Sequence, residues 1–186
     1  MIYIIATTSF CIADCHRFLS WNLFLIDSHI INGEIITIRQ EKRGEKTFLH
    51  AEGYEKFSTA LLNPENPYST EQQVYRFCTN ILLSKGVLHL HCSFVLYKDK
   101  AILFTGPSGI GKTTQAELWR DYADGLIVNG DAALIRKVDG VWTAFGTPIH
   151  GSSPYCENRQ APIVALIRLD QGKENMLEPM NGYKAL

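Results

Sequence analysis

The nonapeptide GPSGIGKTT, residues 106–114, constrains this chain more than any other stretch. It follows the apolar run AILFT and precedes QAELWRDYA, which reads as a helix. A strand, a glycine-rich turn and a helix in that order make a phosphate-binding loop. Gly106, Gly111, Lys112 and Thr113 satisfy the pattern G-x-x-x-x-G-K-[ST], with Pro107, Ser108, Gly109 and Ile110 inside it and Thr114 after it. Gly109 and Gly111 let the backbone turn its N–H groups inward with no side chain in the way. The helix that starts near Lys112 aims its positive end at the same point. A lysine inside such a turn has no packing role, and its ammonium suits the β- and γ-phosphates. The Thr113 hydroxyl suits Mg²⁺. The expected ligands are therefore a nucleotide's phosphates and Mg²⁺.

The flanking pattern limits the fold. VLHLHCSFVLY reads as a strand, KDK as a turn and AILFT as the next strand, so the two are antiparallel neighbours. After the loop and its helix come the strand LIVN, the tripeptide NGD, and two β-rich runs joined by Asp139-Gly140, a hairpin signature. PIVALIRL reads as a buried strand and NMLEPM as a further one, while NGYKAL resembles the start of a helix and so of a longer chain. The fold class is α/β with a mixed sheet, which disfavours the all-parallel nucleotidase or GTPase arrangement.

Upstream, residues 1–66 read as a smaller β-rich part. Its runs are an N-terminal strand in the first 18 residues, then NLFLIDS, EIITIRQ, KTFLHA and KFSTALL. Pro64 and Pro67 in NPENP interrupt the pattern and place a boundary there, with residues 67–186 forming the nucleotide-binding part. A helix follows, with Thr70 and Gln73 (or Ser69 and Gln72) as a capping box and Val74, Phe77, Cys78, Ile81 and Leu82 on one apolar face, stopped by Gly86.

Composition excludes several classes. The 186 residues are 46% apolar and 20% charged with net charge -1, so neither nucleic acid nor acidic lipid is an expected partner. The N-terminus lacks a basic segment and a run near 20 apolar residues, which argues against a signal peptide or membrane span. Five cysteines without a disulfide-framework spacing point to reduced thiols and a cytoplasmic location. Cys11, Cys15 and His16 lack a second Cys/His pair and read as a strand end with thiols, not a metal site.

The nucleotide half, residues 87–180, resembles the catalytic domain of HPr kinase/phosphorylase, whose architecture is shared with ATP-type phosphoenolpyruvate carboxykinase. The similarity lies in the dipeptide His91-Cys92 ahead of the loop, in GPSGIGKTT itself, and in the acidic strand end NGD. The segment GVWTAFGTPIHGSS and the following ENRQAPIVALIRLDQGKEN, like the N-terminal part, are similar to an HPr-kinase-like subgroup more than to true HPr kinases.

The resemblance implies transfer of the γ-phosphoryl group of Mg·ATP to a hydroxyl: a Ser or Thr of a protein or peptide, or a small molecule. Lys112 and the loop N–H groups are expected to neutralise charge, Thr113 and Asp131 to hold Mg²⁺, and Asp131 or His91 to orient or deprotonate the acceptor. The family usually carries two adjacent acids where this chain has Gly130-Asp131. That departure keeps open a weakly active ATP-binding regulatory or accessory module, and a free-serine or other small-molecule kinase is a third reading. Carboxykinase activity is not expected, because the basic residues for oxaloacetate are not evident. A homo-oligomer is compatible with all three.

Among the remaining residues, His89 reads as a strand-face histidine beside His91. His150 and Ser152, in a polar loop with a proline and two glycines, are candidates for acceptor or phosphate contact. Arg159 reads equally as a phosphate clamp or a surface ion pair. Trp119 and Trp142 are expected in the core, or else over the nucleotide cleft.

Overall fold

The computed structural model describes residues 1–13, 19–25 and 34–180. Cys15, His16, the second half of NLFLIDS and NGYKAL lie outside the described residues.

The first sheet runs β1 (Ile2–Ile5), β2 (Thr8–Ile12), β3 (Ile35–Arg43), β4 (Lys46–Ala51) and β5 (Thr59–Ala60), in that order. All neighbours are antiparallel except β2 and β3. The N-terminal run expected as one strand is thus two. Ala6 and Thr7 take φ of 46° and 69° and fold it into a hairpin. The sequence carries no Gly or Asn to announce such a turn. NLFLIDS, expected as a strand, opens instead on the end of a 3₁₀ helix, Leu19–Phe24. An apolar run that short fits either conformation. Trp21 and Phe24 of that helix are fully buried.

The long helix α1 (Pro67–Ser84) begins earlier than its capping-box reading. Asn66 is the N-cap and accepts from the Ser69 N–H at 3.2 Å, while Pro67 takes the first helical position, where its missing N–H costs nothing. Gln73 instead reaches back and pairs with the N–H and C=O of Leu62. Gly86 follows the end of the helix at φ 77°, as expected.

The second sheet comprises β6 (Leu88–Tyr97), β7 (Lys100–Thr105), β8 (Leu126–Asn129), β9 (Ala132–Val138), β10 (Val141–Phe145) and β11 (Gln160–Arg168). Strands β7, β11, β10, β9 and β6 pair in sequence, and β6 pairs again with β7, so the five strands close into a ring. β6 serves both ends. Its residues Leu88–His91 pair with β9, and Cys92–Tyr97 pair with β7. β8 pairs with β6 along Phe94–Leu96, beyond the stretch that β9 takes. Every pairing is antiparallel except β7 with β11, so the sheet is mixed as expected.

The ring is narrow, and its filling shows it. Ala101, Ala133, Ala144 and Ala161 share the interior with Cys92, Phe94, Leu103 and Val128. Residues one position over, Val95, Ile102, Phe104 and Ile127, point the other way and pack under helix α2 (Lys112–Ala123) through Ala116. A third and largest cluster joins the first sheet to α1 and reaches the outside of the ring at Leu134 and Phe145.

Three expectations need correction. β11 is covered on one face only along its second half: Ala165 and Ile167 pack toward α2, while Val164 and Leu166 are exposed. NMLEPM forms no strand and is solvent-exposed, with Pro179 inside it. Trp142 is also exposed, with Lys137 over its ring, whereas Trp119 is partly buried edge-on to Tyr97.

Candidate functional site

β7 delivers the glycine-rich turn to one end of the ring. Thr105 fixes the strand end by donating its hydroxyl to His91 O at 3.1 Å and accepting the Leu169 N–H on its carbonyl at 2.8 Å. Gly106 follows at φ 145°, where a side chain would be strained and would sit 2.9 Å from Leu169 O. Gly111 is the N-cap of α2 at φ 105°, and no side chain caps that helix. Its first N–H groups therefore stay available to an anion.

Lys112 is buried, and its ammonium donates to the carbonyls of Gly106 and Pro107 at 3.1 Å each. Among the described residues it has no carboxylate partner. A buried cation held by neutral acceptors alone is poorly compensated and is ready to meet a negative group.

The opposite wall comes from the turn between β8 and β9. Asp131 projects there, with its Oδ1 3.4 Å from His91 Nδ1, and both side chains are open to solvent. The Gly130 carbonyl accepts from the Thr113 hydroxyl at 3.3 Å and from the buried Ser93 hydroxyl at 3.0 Å. Ser93 thus anchors the Gly130 turn from inside the fold. Gly130 also has no room for a side chain. A Cβ there would overlap Ser153 Oγ and lie 2.6 Å from Ser153 Cβ. The space of a second side chain beside Asp131 is filled by a serine from another loop.

That loop, residues 146–153, closes the third side. Gly151 lies against Asp131, and a Cβ there would come within 2.8 Å of the carboxylate carbon. His150 turns away, its Nδ1 paired with Ser153 O. A cavity of about 450 Å³ remains, lined among others by Ser108, Gly109, Lys112, Thr113, His91 and Asp131, with Ser152, Ser153 and Pro154 across from the turn. So the structure brings together Gly109, Gly111, Lys112, Thr113, Thr114, Asp131, His91 and Ser152. Gly106, Pro107 and Ile110 form the stem and outer side of the turn. His150, Arg159, Trp119 and Trp142 do not line the cavity. Ser153, Ser93 and Asn129 support the turn at Gly130 and Asp131, and only the tertiary fold reveals them.

The cavity's donor set can be compared with the ligands expected from the sequence. Loop N–H groups, an ammonium without a counterion, a hydroxyl and one carboxylate suit a polyphosphate with a hard divalent cation, which takes oxygen ligands and shares them with phosphate. Thr113 and Asp131 are the side chains that would hold Mg²⁺. No cluster of three or more His, Cys, Asp or Glu occurs among the described residues, so a cage made of protein ligands alone is not present there.

Cys92, next to His91, is no competing nucleophile. Burial pushes its thiol up to about 12 from an ordinary 9.0. The folded chain keeps this proton where the unfolded chain has lost it, so stability falls as pH rises from about 9 toward 12. Urea midpoints at about pH 8 and about pH 10.5 should differ, and Cys92→Ala should reduce that difference.

No family model matches this chain, and no curated protein matches it. Among solved structures it is similar to the Hpr(Ser) kinase/phosphatase from Coxiella burnetii, at 15% identity and a TM-score of 0.39. The match covers 50% of this chain and 66% of that one, just under two thirds of its length. Among the described residues no helix is long and apolar enough to cross a membrane.

Proposed function

We propose that this protein binds Mg·ATP in the cavity between the glycine-rich turn and Asp131 and transfers its γ-phosphoryl group to a hydroxyl. The observation that supports this best is the convergence on one cavity of Lys112, without a counterion, and the solvent-open pair Asp131–His91. A site that only stored nucleotide would need the first and not the second.

Bound nucleotide and Mg²⁺ supply the phosphoryl group and the charge that screens it. The chain's own residues do the rest. The turn N–H groups and Lys112 hold the phosphates and offset charge that builds on the transferred group. Thr113 and Asp131 offer oxygen ligands to the cation. Asp131, steadied by His91, faces the acceptor, orients its hydroxyl and takes its proton as the oxygen–phosphorus bond forms and the bond to the β-phosphate bridge breaks. Ser152, Ser153 and Pro154 form the wall on the acceptor side. Positioning and electrostatics carry most of such a reaction, so few residues suffice.

ADP release from ATP, followed with water, free serine or a serine-containing peptide as acceptor, tests the reading and sorts a small-molecule kinase from a peptide kinase. Asp131→Asn should slow release by about 100-fold or more, the usual worth of a general base, while nucleotide affinity changes far less. Binding without transfer to any acceptor, and unaltered by Asp131→Asn, would instead mark an accessory nucleotide-binding module. The single carboxylate beside Gly130 is the feature that favours that second reading.

A further inference from the structure

Asn129, the last residue of β8, is fully buried and belongs to neither wall of the cavity, yet it touches the supports of two of them. Its Oδ1 accepts the backbone N–H groups of Asp131 and Ala132, each at 2.9 Å. Its Nδ2 donates to Thr147 O at 3.1 Å and Ile149 O at 2.9 Å, and lies 3.3 Å from Thr147 Oγ1. Both ends of the amide are used, and the partners fix its orientation: the turned amide would set oxygen against oxygen and N–H against N–H. Thr147, also buried, ties the same loop by donating its hydroxyl to Ile149 O at 2.6 Å. Farther along, the Glu157 N–H donates to Val128 O at 2.8 Å, so the chain leaving the loop returns along β8.

We infer that Asn129 is a positioning residue: it clamps the Asp131 turn to the 147–149 segment, so that the carboxylate and the acceptor-side wall keep one fixed spacing. Neither a carboxylate nor a hydroxyl can do this. The position needs an acceptor on one side and two donors on the other, and the asparagine amide supplies both at the same depth. The packing agrees with the hydrogen bonds. Gly151 rests on Asp131 and Ser153 fills the space at Gly130, so a shift of the loop must move the turn. The kinetic consequence deepens the phosphoryl-transfer reading and rests on it, whereas the clamp itself does not.

Two variants of the full chain separate these levels. Asn129→Asp keeps the acceptor for Asp131 and Ala132 but turns an oxygen on the carbonyls of Thr147 and Ile149. Thr147→Val loosens the loop without touching the turn, and it remains informative if the first variant folds poorly. Amide hydrogen exchange in the absence of any ligand should speed up at least about tenfold at Ser153, and in step at Asp131 and Ala132, in both variants. Exchange that rises in the loop while Asp131 and Ala132 keep their native rate overturns the clamp. With ATP and water as substrates, kcat should fall about 100-fold while KM for ATP stays within about threefold, because β7 and its Thr105 contacts hold the glycine-rich turn, which meets the Asp131 turn through the Thr113 hydroxyl. Equal losses in kcat and in ATP affinity would show a merely structural residue and overturn the positioning role. If the unmodified protein bound no Mg·ATP, the nucleotide reading would fail, and the exchange data would still decide the clamp.

Discussion

Lys112→Ala should raise the dissociation constant for Mg·ATP by about 100-fold or more while the protein stays folded. A hydrogen bond to a charged group is worth about 1.5–3 kcal/mol, and the ammonium would make more than one to the phosphates, so about 3 kcal/mol, or over 100-fold, is the expected loss. Little of this should appear in stability. Among the described residues the Lys112 ammonium hydrogen-bonds to the carbonyls of Gly106 and Pro107, and Lys112 itself lines an open cavity from which water can replace it. Alanine is also a good residue for the first turn of α2. The informative result is therefore a split, with binding lost and the thermal midpoint within about 2–4 °C, the shift that 1 kcal/mol produces in a chain of this size. Lys112→Arg should not rescue, because a planar fork does not replace a compact ammonium in so tight a turn.

The second large effect concerns Gly130. Gly130→Ala should destabilise the protein by about 1–3 kcal/mol, the usual cost of overpacking. Gly130→Asp should do at least as much harm, since it adds a charge at the same place. The reason is local: a Cβ at 130 overlaps the Ser153 side chain, and Tyr155 lies 3.6 Å away on the same side. The clash has a single main partner, so it has a specific rescue. Ser153→Gly should be mild alone and should recover most of the loss in the double variant, leaving a coupling energy of about 1–2 kcal/mol. Additive losses would mean that Ser153 does not fill that space. The same contact accounts in steric terms for a glycine beside Asp131: the loop after β10 has taken the room of a side chain.

How much of this could be read from the sequence depends on where the information sits. The glycine-rich turn, the Asp139-Gly140 hairpin and the antiparallel β6–β7 pair were legible because each is fixed by residues close in the chain. The Ala6–Thr7 hairpin was not, since two residues without a turn preference are held at positive φ by the sheet around them. The start of α1 is hard to place because two close prolines resemble breakers, while Pro67 sits where a helix tolerates one. β11 looked buried from its apolar run, but a continuous run does not say how many faces are covered. The closure of the five strands was legible only in part: the antiparallel neighbours could be inferred, but β6 pairing twice could not.

The site follows the same division. Gly106–Thr114, Asp131 and His91 could be named from pattern and resemblance, and all but Gly106, Pro107 and Ile110 line one cavity. Asn129 stands in plain view at the end of LIVN with nothing local to mark it, because its partners Thr147 and Ile149 lie beyond a strand hairpin. Ser153 was one residue of a polar loop until the fold brought it to Gly130. Residues of a contiguous motif can be named from the sequence, whereas residues that hold them in place act through contacts distant in sequence.

Calorimetric titration of the unmodified protein with ATP, run with Mg²⁺ and again with the metal chelated, tests the central claim most directly. The account predicts saturable binding of one nucleotide per chain that weakens markedly when the metal is removed. No saturable heat in either condition, or an affinity indifferent to both Mg²⁺ and the side chain at 112, would contradict it.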